Sequence, residues 1–392
     1  IEETILNKKN IVVTTGTGSG KTLCFIAPLL TNILLEALGS SGRQKWNGEG
    51  SVFSPTKWWQ NSKEPYSQMR VSEERKRRPA VRGLLIYPLN ALVQDQIETW
   101  RDILNSPEME DIYKEQFNGD RIFFGQYNGD TPEAGSPGPE FRSLNARNYL
   151  KDIDNKRQGT KHKYLLRTQS SEMLLRWDMQ KAPPDILITN FTMLAIMLIR
   201  DLESSIFSET RKWLECKENI FFLVLDELHT YRGTGGTEIA HTVRQFIERI
   251  GLTPDHPQLR IIGTSASLEG NSSSNDPKFL SDFFCTERDN QNFTVIEGDL
   301  IQPGTQGIDE VRNLGSLFEA FSVSEDVEER KSIGEKIASV IETNSSPDEA
   351  DPIESAFSFV SEKIKESQRI PRDIKRFPFE TSDLARVIFG DN

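Results

Sequence analysis

The stretch Ile11-Val12-Val13-Thr14-Thr15-Gly16-Thr17-Gly18-Ser19-Gly20-Lys21-Thr22-Leu23 decides the fold. Its β-branched start predicts a strand, and the pattern from Leu23 to Leu35 predicts a helix. A glycine-rich loop ending in Gly-Lys-Thr between a strand and a helix is the setting that cradles phosphates. Glycines let backbone N–H groups converge on phosphate oxygens without Cβ clashes, and the helix N-terminus adds a favourable dipole. Thr15, Gly16, Thr17, Gly18, Ser19, Gly20, Lys21 and Thr22 are therefore expected to bind a nucleoside triphosphate. Lys21 would reach the β- and γ-phosphates, and the Thr22 hydroxyl would ligate Mg2+.

Outward from this loop, apolar runs recur between helical patterns, the signature of a parallel α/β sheet. Strands are expected at 11–14, 84–87, 122–125, 186–189, 221–225 and 260–263. Helices are expected at 22–35, 91–104, 192–202 and 237–250, with several more after 308. Phe221-Phe222-Leu223-Val224-Leu225 is apolar on both faces, as a central strand covered on each side requires. Residues 39–79, rich in Gly, Ser and basic side chains, read as an insertion. A Pro/Gly loop follows at 131–140, and a Ser/Asn-rich mobile connection at 270–277. The expected organisation is one α/β domain over 1–300, with insertions at about 36–82 and 131–182, then an acidic helical segment over 301–392.

Composition narrows the class. A chain of 392 residues suits two units, or one with long insertions. Its 36% hydrophobic and 27% charged content is that of a polar globular protein. No apolar run approaches the roughly 20 residues that cross a bilayer, and no signal peptide is present, so a cytoplasmic protein without a membrane partner is expected. The first residue is Ile1 rather than Met, which predicts truncation at the N-terminus. Cys24, Cys216 and Cys285 have neither zinc nor disulfide spacing and read as reduced thiols. The net charge of −12 argues against a polyanionic partner, but its distribution does not. Residues 43–82 hold ten Lys/Arg against four Asp/Glu, and residues 142–176 nine against three, leaving −24 for the remainder. A polyanion would be attracted to those stretches and repelled elsewhere; solvated basic loops without a ligand would give the same pattern.

The second chemical signal is Asp226-Glu227-Leu228-His229, directly after the strand 221–225. An acidic pair at a strand's C-terminal end sits where such sheets bind ligands. Asp226 is expected to hold Mg2+, and Glu227 to orient and deprotonate the attacking water. His229 suits either a report on the γ-phosphate or a plain structural role.

These segments resemble superfamily 2 helicases of the DEAD/DEAH-box (DExH) type, and in particular the large Lhr-like bacterial helicases. Residues 15–22 resemble motif I, and Asp226–His229 motif II. Gly263-Thr264-Ser265-Ala266-Ser267 is similar to motif III, with Ser267 where the family usually has Thr. Tyr87-Pro88-Leu89-Asn90-Ala91-Leu92-Val93-Gln94-Asp95-Gln96 resembles motif Ia, and Gly125-Gln126-Tyr127-Asn128-Gly129-Asp130-Thr131 the Tyr-x-Gly-Asp-Thr segment. Asp185 to Asn190, with Met193-Leu194, resembles motif Ib, and Leu228 to Glu238 the extension of motif II. The likeness covers about residues 5–295 in the family's order.

The resemblance implies a RecA-like P-loop NTPase domain, with His229, Ser265 and Ser267 coupling hydrolysis to movement. It implies contacts to one nucleic-acid strand, DNA more than RNA, through Pro88, Asn90, Gly129, Asp130, Thr131, Thr189, Asn190 and Arg232. Small polar groups at strand ends grip phosphates without reading bases, which a motor needs; each position also suits a cap or turn. Arg232 equally suits a nucleotide-coupled partner or the open surface. Trp46, Trp58 and Trp59 would either stack bases or form a satellite core.

Nothing after residue 295 resembles a second RecA-like sheet, and residues 377–391 resemble the family's helical connector. The implied enzyme is thus an ATP hydrolase whose full activity needs a second RecA-like domain. Subunits of an antiphage defence or DNA repair complex are further implied partners. An ATP-gated scaffold that binds nucleic acid without translocating is the alternative.

Overall fold

The computed structural model describes residues 2–14, 21–43, 45–46, 57–70, 77–133, 135, 140–157, 166–168, 170–231, 234–265, 276–286 and 293–297. All of them belong to one compact unit. Thr15, Gly16, Thr17, Gly18, Ser19, Gly20, Arg232, Ser267 and the expected helical segment over 301–392 lie outside the described residues.

Seven strands form one parallel sheet: β1 (Asn10–Thr14), β2 (Gly83–Tyr87), β3 (Phe124–Tyr127), β4 (Ile186–Asn190), β5 (Phe221–Leu225), β6 (Leu259–Ser265) and β7 (Phe293–Glu297). Their spatial order is β3-β4-β2-β5-β6-β1-β7. Helices in the connections include α1 (Lys21–Ala37), α2 (Asn90–Leu104), α3 (Pro107–Glu115), α4 (Glu140–Arg157), α5 (Arg176–Lys181), α6 (Phe191–Ile199), α7 (Ser204–Trp213), α8 (Thr234–Arg249) and α9 (Asp276–Phe284). The expected α/β architecture is present. β3 begins two residues later than the apolar run predicts, because the Phe123 carbonyl is taken by the Asp185 and Ile186 amides before the ladder starts. β7 was not expected; its short run pairs residue for residue with β1. Among the described residues no helix is long and apolar enough to cross a membrane.

Alternation along the strands separates two cores. Leu84, Ile86, Leu223 and Leu225 face one cluster, and Leu85, Tyr87, Phe222 and Val224 the other. Burial of both faces explains why β2 and β5 are continuous apolar runs.

The tryptophans of the insertion are core residues. Trp46 is in the second cluster, while Trp58 and Trp59 join Leu150, Leu175 and Trp177 in a third, smaller one. Each is at most 6% exposed, so none offers a stacking surface for bases.

The two basic stretches need a similar correction. Arg70, Arg77 and Arg82 are buried at the N-terminal ends of β2, β3 and β4. Arg82 donates to Glu36 and Asp185, Arg77 to Asp120, and the Arg77 and Arg70 guanidiniums also pair with Asp185 at 2.5 and 3.8 Å. Arg147 is buried too, donating to the carbonyls of Trp58, Asn61 and Glu64. These four arginines therefore tie neighbouring segments to the sheet and are not displayed to a polyanion.

Asp178 of α5 anchors the same region, accepting from Tyr66 Oη at 2.7 Å and the Met69 amide at 2.8 Å. Burial outweighs these bonds and pushes its carboxyl up to about 6. A folded value above the unfolded one means that its contribution is present below about pH 4 and is lost as pH rises through 6. Asp178→Asn keeps an accepting oxygen without the charge. It is expected to raise the thermal midpoint at pH 7.5 and to flatten the stability profile between pH 4 and 6. A lowered midpoint at pH 7.5 would contradict this account.

Candidate functional site

Strand order assembles the site. β6 lies between β1, which leads into the phosphate loop, and β5, which ends at the acidic pair. The register sets Thr14 beside Ser265 and Leu225 beside Gly263, so three strand ends converge. A Cβ on Gly263 would overlap Leu228, so glycine there admits the turn carrying His229.

Lys21 opens α1, and its Nζ lies 3.6 Å from Glu227 Oε1. This ammonium is buried without a hydrogen-bond partner, as suits a group awaiting phosphate oxygens. Glu227 has a left-handed backbone, φ 54°, unusual for a residue with a side chain. The Thr230 amide and hydroxyl both donate to its carbonyl, at 2.9 and 2.8 Å, fixing the kink. Glu227 Oε2 lies 3.2 Å from His229 Nδ1, which is 3.3 Å from Ser265 Oγ. Glu227 Oε2 is buried without a hydrogen-bond partner, so the ring's hydrogen bond is the one to Ser265. Asp226 accepts from Thr264 Oγ1, while its amide donates to Ile86 across the sheet. Burial, reinforced by the Glu227 charge and opposed by Thr264 and Lys21, raises the Asp226 carboxyl above its ordinary value. Thr22 accepts from Gln96 Nε2 at 3.3 Å.

The Thr22 hydroxyl and the Asp226 carboxylate form an all-oxygen donor set, which fits Mg2+ with water and phosphate completing its shell. Among the described residues no group of three or more His, Cys, Asp or Glu side chains could hold a metal ion.

A second polar assembly occupies the C-terminal ends of β2, β4 and β3. The exposed Asn90 accepts from Asn128 and Asn190 and donates to Asp130. Asn128, wholly buried, accepts from the Asp130 amide and from Gln126, and Thr131 Oγ1 donates to Gln126 O at 2.8 Å. Asn190 also caps α6 through the Met193 amide at 2.8 Å. Buried Arg176 donates to the Asn128 and Gly129 carbonyls. Pro88 is half-buried, and Gly129 and Asp130 are exposed beside Asn90. Thr189 differs: it is fully buried and donates to the Tyr127 carbonyl at 2.6 Å, so its side chain ties β4 to β3 and is not available to a ligand. Thr264, Gln96, Asn128 and Arg176 were not among the expected site residues. Gln96, Asn128 and Thr264 stand inside quoted motifs, but the partner of Thr264 follows only from the strand order, and those of Arg176 only from the packing of α5 on the turn after β3.

Residues 1–122 match the family model described as DEAD/DEAH box helicase. Druantia protein DruE of Escherichia coli (strain UMEA 4076-1) is 29% identical over 338 residues, covering 74% of this chain and 16% of DruE. The uncharacterized ATP-dependent helicase YprA of Bacillus subtilis (strain 168) is 43% identical over 44 residues, 11% of this chain and 6% of YprA. Among solved structures, the DUF1998 helicase MrfA bound to DNA aligns with a TM-score of 0.39 at 18% identity, over 93% of this chain and 36% of that one. The chain thus spans a small part of the curated relatives it matches.

Proposed function

From the match of residues 1–122 to the DEAD/DEAH box helicase model, we propose that this chain is the ATP-binding motor domain of a nucleic-acid helicase or translocase acting on DNA. The observation that carries the reading is the chain of contacts Lys21–Glu227–His229–Ser265, which links the end of the phosphate loop to motifs II and III.

Lys21 holds the β- and γ-phosphate oxygens, exchanging its contact with Glu227 for them. Glu227, so released, orients the attacking water and accepts its proton. Thr22 and Asp226 would hold Mg2+, which when bound neutralises phosphate charge. His229 and Ser265 sense Glu227 and, with Ser267, pass the change onward. Pro88, Asn90, Gly129, Asp130 and Asn190, with Arg232, line the path of one strand and meet its backbone, not its bases. Thr131 is buried, its hydroxyl bonded to Gln126 and Asn128 and its amide to Asn128, so it shapes the turn and does not touch the strand. A second RecA-like domain supplies the arginine that completes the site; such a group contributes on the order of 10³–10⁵ in rate. We take the protein to act in the cytoplasm, within an antiphage defence or DNA repair complex.

ATP turnover by the full-length protein tests this, measured with single-stranded DNA, RNA or neither across salt concentrations. Stimulation by a strand, greater for DNA, is expected; turnover indifferent to any strand refutes the motor. The strand contacts have their own check in Asn128→Ala. Loss of this hub leaves Asn90, Asp130 and Gln126 each short of a partner, at about 1 kcal/mol per bond. Affinity for a fluorescent single strand is expected to fall about tenfold or more, and an unaltered anisotropy titration contradicts the assignment.

A further inference from the structure

The first two turns of helix α2 touch both assemblies. Asn90, its first residue, bonds to Asn128, Asn190 and Asp130. Gln96, nearly two turns along, donates from Nε2 to Thr22 Oγ1 at 3.3 Å. The other half of that amide is anomalous: Gln96 Oε1 is buried without a hydrogen-bond partner. A buried carbonyl left unpaired is costly and calls for a reason.

The chemistry of Thr22 supplies one. A hydroxyl that ligates a divalent cation turns its lone pair to the cation and its proton away. It then becomes a strong donor and a poor acceptor, and an N–H directed at it is repelled. A primary amide can answer that reversal, because a half-turn of its terminal group exchanges its donor for its acceptor. The acceptor that such a turn would present to Thr22 is Oε1, the atom now lacking a partner. We infer that Gln96 is a positioning residue that couples occupancy at Thr22 to the strand-end amide network, its amide exchanging donor for acceptor when Thr22 becomes a cation ligand. The helix transmits the change: Gln96 and Asn90 share one rigid backbone, so a new hold at Thr22 re-seats Asn90 among Asn128, Asn190 and Asp130. Groups hydrogen-bonded to metal ligands commonly orient those ligands. The inference rests on the roles proposed above for Thr22 and Asn90.

The test is the coupling ratio. Affinity of the full-length protein for a fluorescent single-stranded DNA is measured by anisotropy without nucleotide, then with Mg2+ and a non-hydrolysable ATP analogue. Wild type is expected to show a ratio within the 5–150-fold usual for coupled sites. Gln96→Met, which fills the space with neither donor nor acceptor, is expected to bring the ratio to within about twofold of unity. Gln96→Glu keeps the acceptor and should retain most of the coupling, a rescue that a purely structural role would not produce. Gln96→Met should also raise the Mg2+ concentration needed for half-maximal binding of a fluorescent ATP analogue. A wild-type ratio in Gln96→Met, or a Glu variant indistinguishable from Met, overturns the inference. A wild type that binds nucleotide and strand with a ratio of one overturns it alone. A wild type that binds neither overturns the motor reading with it.

Discussion

Replacing Glu227 by glutamine is expected to lower strand-stimulated ATP turnover of the full-length protein by about 10²–10⁴-fold. The substitution preserves size and one accepting oxygen but removes the basic group that takes the water's proton. Nucleotide affinity should hold or increase. The Lys21 ammonium is engaged by Glu227 at 3.6 Å, and a neutral amide competes less with phosphate for it. His229 Nδ1 would face an amide in place of a carboxylate, so the relay to Ser265 should weaken as well. Steady-state turnover and equilibrium binding of a fluorescent ATP analogue separate the two effects. Undiminished turnover removes Glu227 from its role as base.

Asp185→Ala is expected to be among the most destabilising single changes in the domain. Its fully buried carboxylate receives Arg70, Arg77 and Arg82, and its Oδ2 accepts from the Phe123 amide at 2.8 Å. Removing it leaves buried guanidiniums under-compensated, which costs about 3–5 kcal/mol. Burial alone would raise this carboxyl, but Arg77, Arg70 and Arg82 prevail and hold it below its ordinary value. A depressed carboxylate contributes stability that is present above its unfolded value, near pH 4, and is lost as pH falls through the lower folded value. Urea titrations at pH 7 and at descending pH check both points. A loss below about 1 kcal/mol at pH 7 would show the cluster to be dispensable.

The sequence is most legible where meaning is local. Strands β1, β2, β4, β5 and β6 stand out as apolar runs, and motifs I and II are consecutive residues whose chemistry needs no partner to be recognised. β7 escaped because its alternation is brief and its pairing with β1 is more than 280 residues distant in sequence. The arginines misled for a related reason. Counting charge in 43–82 treats Arg70, Arg77 and Arg82 as surface, whereas their partners Glu36, Asp120 and Asp185 come from other segments. Thr189 was read as a ligand group because small hydroxyls at strand ends often are, yet the adjacent Tyr127 carbonyl claims it. Thr264 stood within a quoted motif, but its bond to Asp226 exists only because β6 neighbours β5.

The left-handed backbone at Glu227 sets two demands against each other at one position. For a residue with a Cβ that conformation costs about 1–2 kcal/mol, and glycine would adopt it freely. Selection for stability alone would therefore favour Glu227→Gly, a variant firmer in its fold and without its base. An engineering campaign scored only by melting temperature would tend to erase the chemistry here first, and a screen that couples folding to turnover is the safeguard.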